Sequence, residues 1–477
     1  MNIIPCLPRA FGRTAERLLS ARFHRFPSAR PAAALIAGIL LLAPATTRAL
    51  PSFARQINMQ CTACHTEFPV LNQFGRQFKL SGYTAIADDS TAIPLAVMLQ
   101  PSFTHTATAQ AGGAAPGFGD NNNYALTQAS IFYAGRLFGP FLKSEDGLLN
   151  KFGVFMQTTY DGIGKVWALD NTEFRFASTT TISGKDANYG FYLNNNPTMQ
   201  DPWNSTPAWG YPFTGSGLAP GPAAATLIDG GTSGQVGGLG AYLFVNDTYY
   251  LDVGGYQTLG TSLQKKVGID PAGETEIKGV APYWRLAMER TVGEGRWQVG
   301  TFGLAANTYP GRDASAGDDK IVDFGLDTQY QFSKGTNDLT AMMSWVSERQ
   351  TWDASSVLGN TSNTSDTLQA FKATVSYLYN KTYGITGQYF STTGTADSVL
   401  YGDSATGSPD SDGFVFQVNY LPFNKNGGPS FWPRSNVKFT LQYVAYNRFD
   451  GARNDYDGAG ANARDNNTLY LEAWILF

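Results

Sequence analysis

From residue 93 onward, apolar and polar residues alternate with a period of two. In VDFGLDTQYQF (322–332), Val322, Phe324, Leu326, Tyr330 and Phe332 alternate with Asp323, Gly325, Asp327, Gln329 and Gln331. TEFRF (172–176) repeats the pattern, with Phe174 and Phe176 set against Glu173 and Arg175. Successive side chains of a strand point to opposite faces, so this pattern predicts strands with one apolar and one polar side. In a soluble sandwich the apolar side faces a core; in a membrane barrel it faces lipid and the polar side lines the lumen. Periodicity alone does not choose between them.

Three features choose the barrel. The chain ends LYLEAWILF, with Leu469, Leu471, Ala473, Ile475 and Phe477 on one face, and a last strand ending in Phe resembles the assembly signal of bacterial outer-membrane barrels. Tight-turn residues at Asn246-Asp247, Gly293-Glu294-Gly295, Lys334-Gly335-Thr336 and Asn380-Lys381 alternate with long polar stretches near 195–237, 257–280, 350–365, 395–409 and 447–465. Short turns on one rim and long loops on the other are the outer-membrane pattern. The strand count comes to about 16, an even number. The expected fold is all-β: a transmembrane antiparallel β-barrel of about 16 strands with both termini on the periplasmic side. Glu173, Arg175, Arg285, Glu289, Asp323, Asp327, Lys372 and Glu472 take inward parity and are expected as a solvated, mutually paired lining. The third outer loop, LNNNPTMQDPWNSTPAWGYP (193–212), is long enough either to fold into the lumen or to cap it. GGTSGQVGGLG (230–240) lacks the Lys and following helix of a phosphate loop and reads as a flexible loop.

Composition agrees. Charged residues are 15% of the chain, with 52 Gly, 24 Tyr and 31 Phe, against roughly 25% charged in soluble proteins. No apolar run reaches the length of a spanning helix. A net charge of −4 without a basic stripe gives no support to nucleic-acid binding.

The first 49 residues are set apart. Arg9, Arg13, Arg17, Arg22, Arg25 and Arg30 form a basic region, AAALIAGILLLAPA (32–45) an apolar one, and Thr47-Arg48-Ala49 a cleavage site before Leu50. This predicts a secretory signal at 1–49. Its removal takes Cys6 and leaves Cys61 and Cys64 as the mature cysteines.

Those two lie in MQCTACHTEF (59–68), which contains Cys-x-x-Cys-His. That spacing marks c-type haem attachment: two thiols bind the porphyrin edge and the next residue, His65, is placed as proximal ligand to the iron. One covalent haem c is therefore expected on a segment spanning 50–90, with the barrel at 91–477. Val70, Leu71, Phe74 and Phe78 are spaced as one helical face able to cover a haem edge, with Gly82 as a stop. So short a segment cannot sustain its own core and must lean on the barrel.

The distal ligand has two candidates, Met98 and His105, both on AVMLQPSFTHTAT (96–108). Met98 has lumen parity. His105 has lipid parity unless Pro101 bulges the strand and flips it. A site in which neither ligates is the third reading. The mature chain has one histidine besides His65, so no Ser-His-Asp set can form.

PSFARQINMQCTACHTEFPVLNQFGRQFKLSGYT (51–84), SFTHT (102–106) and NNNPTMQDPWNSTPAWGYP (194–212) resemble the fused cytochrome–porins, the outer-membrane monohaem c-type cytochromes of iron-oxidising bacteria and their relatives. The resemblance implies a haem plug in or under a porin-like barrel of the bacterial outer membrane. It also implies electron transfer from extracellular iron(II), or another reductant, to a periplasmic electron-carrier cytochrome, which would make the protein an extracellular iron(II) oxidase. Cys61, Cys64 and His65 carry over as attachment and proximal ligand; no iron(II)-binding residue does. The alternative is a porin or transport channel with a structural or gating haem plug, and a third reading is a periplasmic redox enzyme with a soluble β-domain.

Overall fold

A computed structural model of the chain describes residues 51–87, 94–139, 147–271 and 275–477. The predicted export segment 1–49 and the predicted domain border at 90/91 lie outside the described residues.

The strands are β1 Leu95–Thr106, β2 Asn123–Arg136, β3 Phe152–Asp161, β4 Val166–Ile182, β5 Lys185–Asn194, β6 Val236–Val245, β7 Tyr249–Thr258, β8 Glu276–Ile277, β9 Ala281–Val292, β10 Gly295–Tyr309, β11 Asp319–Lys334, β12 Asn337–Thr351, β13 Ser365–Tyr379, β14 Tyr383–Gly394, β15 Ser411–Tyr420, β16 Asn436–Arg448 and β17 Thr468–Leu476. β8 is a two-residue bridge onto the end of β10. The other sixteen pair antiparallel with their neighbours, and β1 pairs with both β2 and β17, so the sheet closes into a barrel with no free edge. Val97 and Phe477 exchange backbone hydrogen bonds of 2.8 and 3.0 Å, which puts the start of β1 and the end of the chain at one rim.

That rim carries the tight turns. Asn246 and Asp247 (φ 56° and 48°) and Asn380 and Lys381 (φ 52° and 56°) adopt the left-handed conformation that two-residue hairpins require. Two connections on this rim depart from the short pattern, residues 137–151 between β2 and β3 and residues 421–435 between β15 and β16; the second packs on the N-terminal segment, with Arg434 Nη2 donating to Asn58 Oδ1 at 2.8 Å.

Burial alternates along most strands. In β1 the pattern is strict, with Ala96, Met98, Gln100, Ser102, Thr104 and Thr106 buried. The outward positions are apolar: Phe191, Leu193, Leu239, Ile385, Phe416 and Val418 are each more than half exposed. Aromatic pairs mark both rims, with Phe103–Tyr124 and Tyr160–Trp167 at the loop end and Tyr383–Tyr420 and Tyr420–Phe439 at the turn end. An apolar belt between two aromatic girdles on a closed antiparallel barrel is the surface of a bacterial outer-membrane protein. Among the described residues no helix is long and apolar enough to cross a membrane.

The lumen is not open. The third outer loop folds into it: Asn194–Asn196, Thr198–Thr206, Tyr211, Phe213 and Thr214 are buried. Two short helices, α1 Pro51–Gln56 and α2 Gln73–Leu80, enter from the turn end. Most of the inward charges therefore pair, as expected, but as a packed interior, and Asp323 and Glu472 accept hydrogen bonds without an ion pair among the described residues; the expected solvated lining is corrected by the loop that fills the space.

Two further expectations are corrected. Residues 236–240 of the glycine-rich stretch belong to β6, not to a loop, because a Cβ at Gly238 or Gly240 would collide with the rings of Tyr256 and Tyr192. These glycines make room for lumen tyrosines. The expected helical face of Val70, Leu71, Phe74 and Phe78 is shorter: the helix is Gln73–Leu80, since Val70 and Leu71 lie in the turn before it, where Leu71 bridges His65.

Candidate haem centre

Cys61–Ala63 forms one turn of 3-10 helix, closed by Cys64 N and His65 N, which both donate to Cys61 O at 3.1 and 3.0 Å. This turn puts both cysteines of the motif on one short stretch. Both are free thiols and half-buried. Burial pushes Cys61 up to about 11, against the opposing pull of Asn436 and Arg434, and Cys64 up to about 12. The thiols are therefore protonated at neutral pH.

Asn72 ties the turn to α2. Its Nδ2 donates to Ala63 O (2.9 Å), its backbone N to Cys64 O (2.9 Å), and its Oδ1 accepts from Gly75 N (3.0 Å) as the helix N-cap. Gly75 lies so close that a Cβ there would fall inside the Cys64 carbonyl. Sequence reading did not single out either residue. The signal for Asn72, a capping residue ahead of a helical stretch, was present; that for Gly75 was not.

His65 is held by its backbone bridge to Leu71. Its Nδ1 is buried without a hydrogen-bond partner, and the carbonyls of Pro69 and Val70 lie beside the ring. Burial lowers its pKa to about 4, so the imidazole is neutral, the form that binds iron. Beside the motif the apolar side chains Met59 and Phe74 remain 41% and 43% exposed. Paired free thiols in one turn, a neutral imidazole directly after them and uncovered apolar surface alongside are a donor set that fits a covalently attached haem.

Met98 points into the lumen. It is buried in the cluster that contains Phe68 and Val70, the residues just after His65, together with Ala96, Phe132 and Trp474. His105 does not join this group. The register irregularity at Pro101 places the extra residue, Thr127, on β2, so β1 keeps its alternation and His105 stays on the outward face. There its Nδ1 pairs with Asn122 Oδ1 at 2.9 Å, toward the loop end of the barrel. The flip that would have brought His105 inward does not occur.

The segment is fixed to the wall by buried charges. Glu67 accepts from Asn419 Nδ2 and lies 3.9 Å from Lys438 Nζ. Lys438 in turn donates to Phe68 O (3.1 Å) and sits over the rings of Trp474 (4.7 Å) and Phe68 (5.1 Å). From α2, Lys79 Nζ donates to Met199 O and Asp201 O, both 2.7 Å, in the third loop. Arg175 of β4 grips Lys79 O (2.8 Å) and pairs with Glu173 (2.8 Å). The loop itself is latched by Arg285, which lies between Asp201 (3.1 Å) and Asp327 (2.9 Å). Helix, loop and wall thus share one desolvated network, and each bond supports the others.

Neither a protein-family model nor a curated protein matches this sequence. Solved barrels are similar in overall layout. OmpF of Salmonella typhi, in complex with daunomycin, has a TM-score of 0.43 at 12% identity, covering 80% of this chain and 97% of that one. An anion-selective porin from Comamonas acidovorans gives 0.43 at 10% identity, covering 80% and 98%. OprB of Pseudomonas putida gives 0.44 at 12% identity, covering 80% and 93%.

Proposed function

We propose that this porin-like outer-membrane barrel carries one covalent haem c on residues 50–90 and moves electrons across the outer membrane, as a fused cytochrome–porin. The carrying observation is that the Cys61–His65 turn, with two free thiols and a buried unbonded imidazole nitrogen, is locked onto a helix clamped inside the lumen. Cys61 and Cys64 would hold the haem, His65 would be its proximal ligand, and Met98, on the lumen side of β1, its distal one. A bound haem supplies one-electron redox chemistry, and Met/His ligation raises its potential. The protein's own part is to fix the ligand segment, exclude bulk water with the third loop, and set a barrier between donor and acceptor compartments. The donor is an extracellular reductant, iron(II) by the family resemblance, and the acceptor a periplasmic carrier cytochrome. Outer-membrane fractions should show a c-type haem spectrum that iron(II) reduces; reduction by dithionite but not by iron(II) would remove the donor and leave the conduit.

A second reading, a solute channel with the haem segment as plug, is favoured by the many charged and amide side chains that face the lumen. Liposome swelling separates the two. A conduit whose lumen is packed admits little sugar, whereas a channel admits it at porin rates.

A further inference from the structure

Near the loop end of the barrel, two carboxylates face each other with no cation between them. Asp323 of β11 and Glu348 of β12 are direct cross-strand partners, and both side chains are buried. Neither makes an ion pair among the described residues. Like charges directly opposed on a sheet are destabilising, more so when desolvated.

What reaches them comes from the return leg of the third loop, the turn Leu227–Gly231. Ile228 N donates to Asp323 Oδ2 at 2.8 Å and Leu227 N to Glu348 Oε2. Gln350, two residues along the same face, donates its Nε2 to Glu348 Oε1 at 2.6 Å. These donors leave a surplus of oxygen. Asp323 Oδ1, Gln350 Oε1 and Thr226 Oγ1 are all buried without a hydrogen-bond partner. Thr226 directly precedes the two donating amides.

A proton shared between the carboxyls would satisfy Asp323 Oδ1 but would leave the Gln350 and Thr226 oxygens bare. No basic side chain among the described residues offsets the pair, and Lys372 is engaged by Asp229 at 2.9 Å. An oxygen-only donor set of two carboxyls, an amide and a hydroxyl suits a hard divalent cation.

We infer that Asp323, Glu348, Gln350 and Thr226 form a binding site for one hard divalent cation, which ties the third loop to the barrel wall near its outer mouth. The site is separate from the haem centre and does not depend on it. A bound cation would join β11 and β12 to the loop that closes the lumen, so its removal would loosen that loop.

The test uses the full chain purified as a folded barrel in detergent, treated with chelator and titrated with manganese(II), followed by its magnetic-resonance signal. Wild type should take up one manganese(II) per chain. Asp323→Asn with Glu348→Gln should weaken binding at least tenfold. Thr226→Val, which removes one oxygen and keeps both loop amides, should weaken it by a smaller factor while leaving the fold intact. Folding of each variant is checked by the band shift between heated and unheated samples. A wild-type barrel that binds no manganese(II), or a folded Thr226→Val or Asp323→Asn barrel that binds it as tightly as wild type, overturns the site. If wild type binds none and Glu348→Gln stabilises the barrel, the pair shares a proton instead.

Discussion

Arg76 Nη2 on α2 lies 3.1 Å from Glu289 Oε2 on β9, with both side chains buried. Glu289 also pairs with Arg296 at 2.6 Å and accepts from Trp203 Nε1 of the third loop. One carboxylate therefore joins the N-terminal segment, the inner loop and the wall. Stranding one partner of a buried pair costs about 3–5 kcal/mol; loss of Arg76 leaves Glu289 paired with Arg296, so the expected cost is smaller. Arg76→Met is expected to lower the urea midpoint of the barrel, followed by band shift, and to open the 51–87 segment to trypsin in an otherwise folded barrel.

Gly75 has no room for a methyl group because the Cys64 carbonyl occupies that space. Gly75→Ala should push α2 off the motif turn, at about 1–3 kcal/mol for overpacking. Haem staining per barrel should fall in this variant, while the barrel's band shift is retained. A Gly75→Ala protein loaded like wild type would show that the helix does not position the motif.

Met98 and His105 separate by face. Met98→Leu keeps the volume and removes the sulfur; it should lower the midpoint potential of the bound haem and change its optical spectrum. Met98→Ala adds a cavity cost of about 2–5 kcal/mol. His105→Ala, on the outward face, should leave the spectrum unchanged. The reverse pattern would make His105 the ligand.

Asp397 links two outer loops. Its carboxylate accepts from Ser362 N (2.8 Å), Asn363 N (2.8 Å), Val399 N (2.9 Å) and Leu400 N (2.8 Å). These hydrogen bonds hold its pKa at about 2, below the ordinary value near 4. A depressed carboxylate stabilises the folded state fully above its unfolded pKa and loses that contribution as pH falls. Cleavage of the 395–410 loop by an acid protease should therefore rise between about pH 4 and pH 2. Asp397→Asn should be cleaved at pH 5 as readily as wild type is at the low end.

Much of the barrel can be read from single residues. Alternation in 322–332 places Asp323, Asp327 and Gln329 inside, and they are buried there. Asn246-Asp247 and Asn380 mark hairpins because Asn and Asp tolerate positive φ better than other non-glycine residues. Met98 follows from strand parity. The filled lumen does not, because its latch, Asp201 to Arg285, joins residues far apart in sequence by a contact with no local pattern. Gly238 and Gly240 mislead for a related reason: their cause is the tyrosine rings of neighbouring strands. The start of α2 at Gln73 is set by the bridge from His65 to Leu71, which helical periodicity does not register.

The central claim is that the Cys61–Cys64 pair covalently holds a porphyrin inside this barrel. Denaturing intact-mass measurement of the detergent-purified protein tests it most directly. The mature chain is expected at its polypeptide mass plus one haem, and Cys61→Ala with Cys64→Ala at the polypeptide mass alone, with the folded barrel's band shift preserved. A wild-type barrel, made in cells that attach haem to other c-type cytochromes, that shows only the polypeptide mass would contradict it.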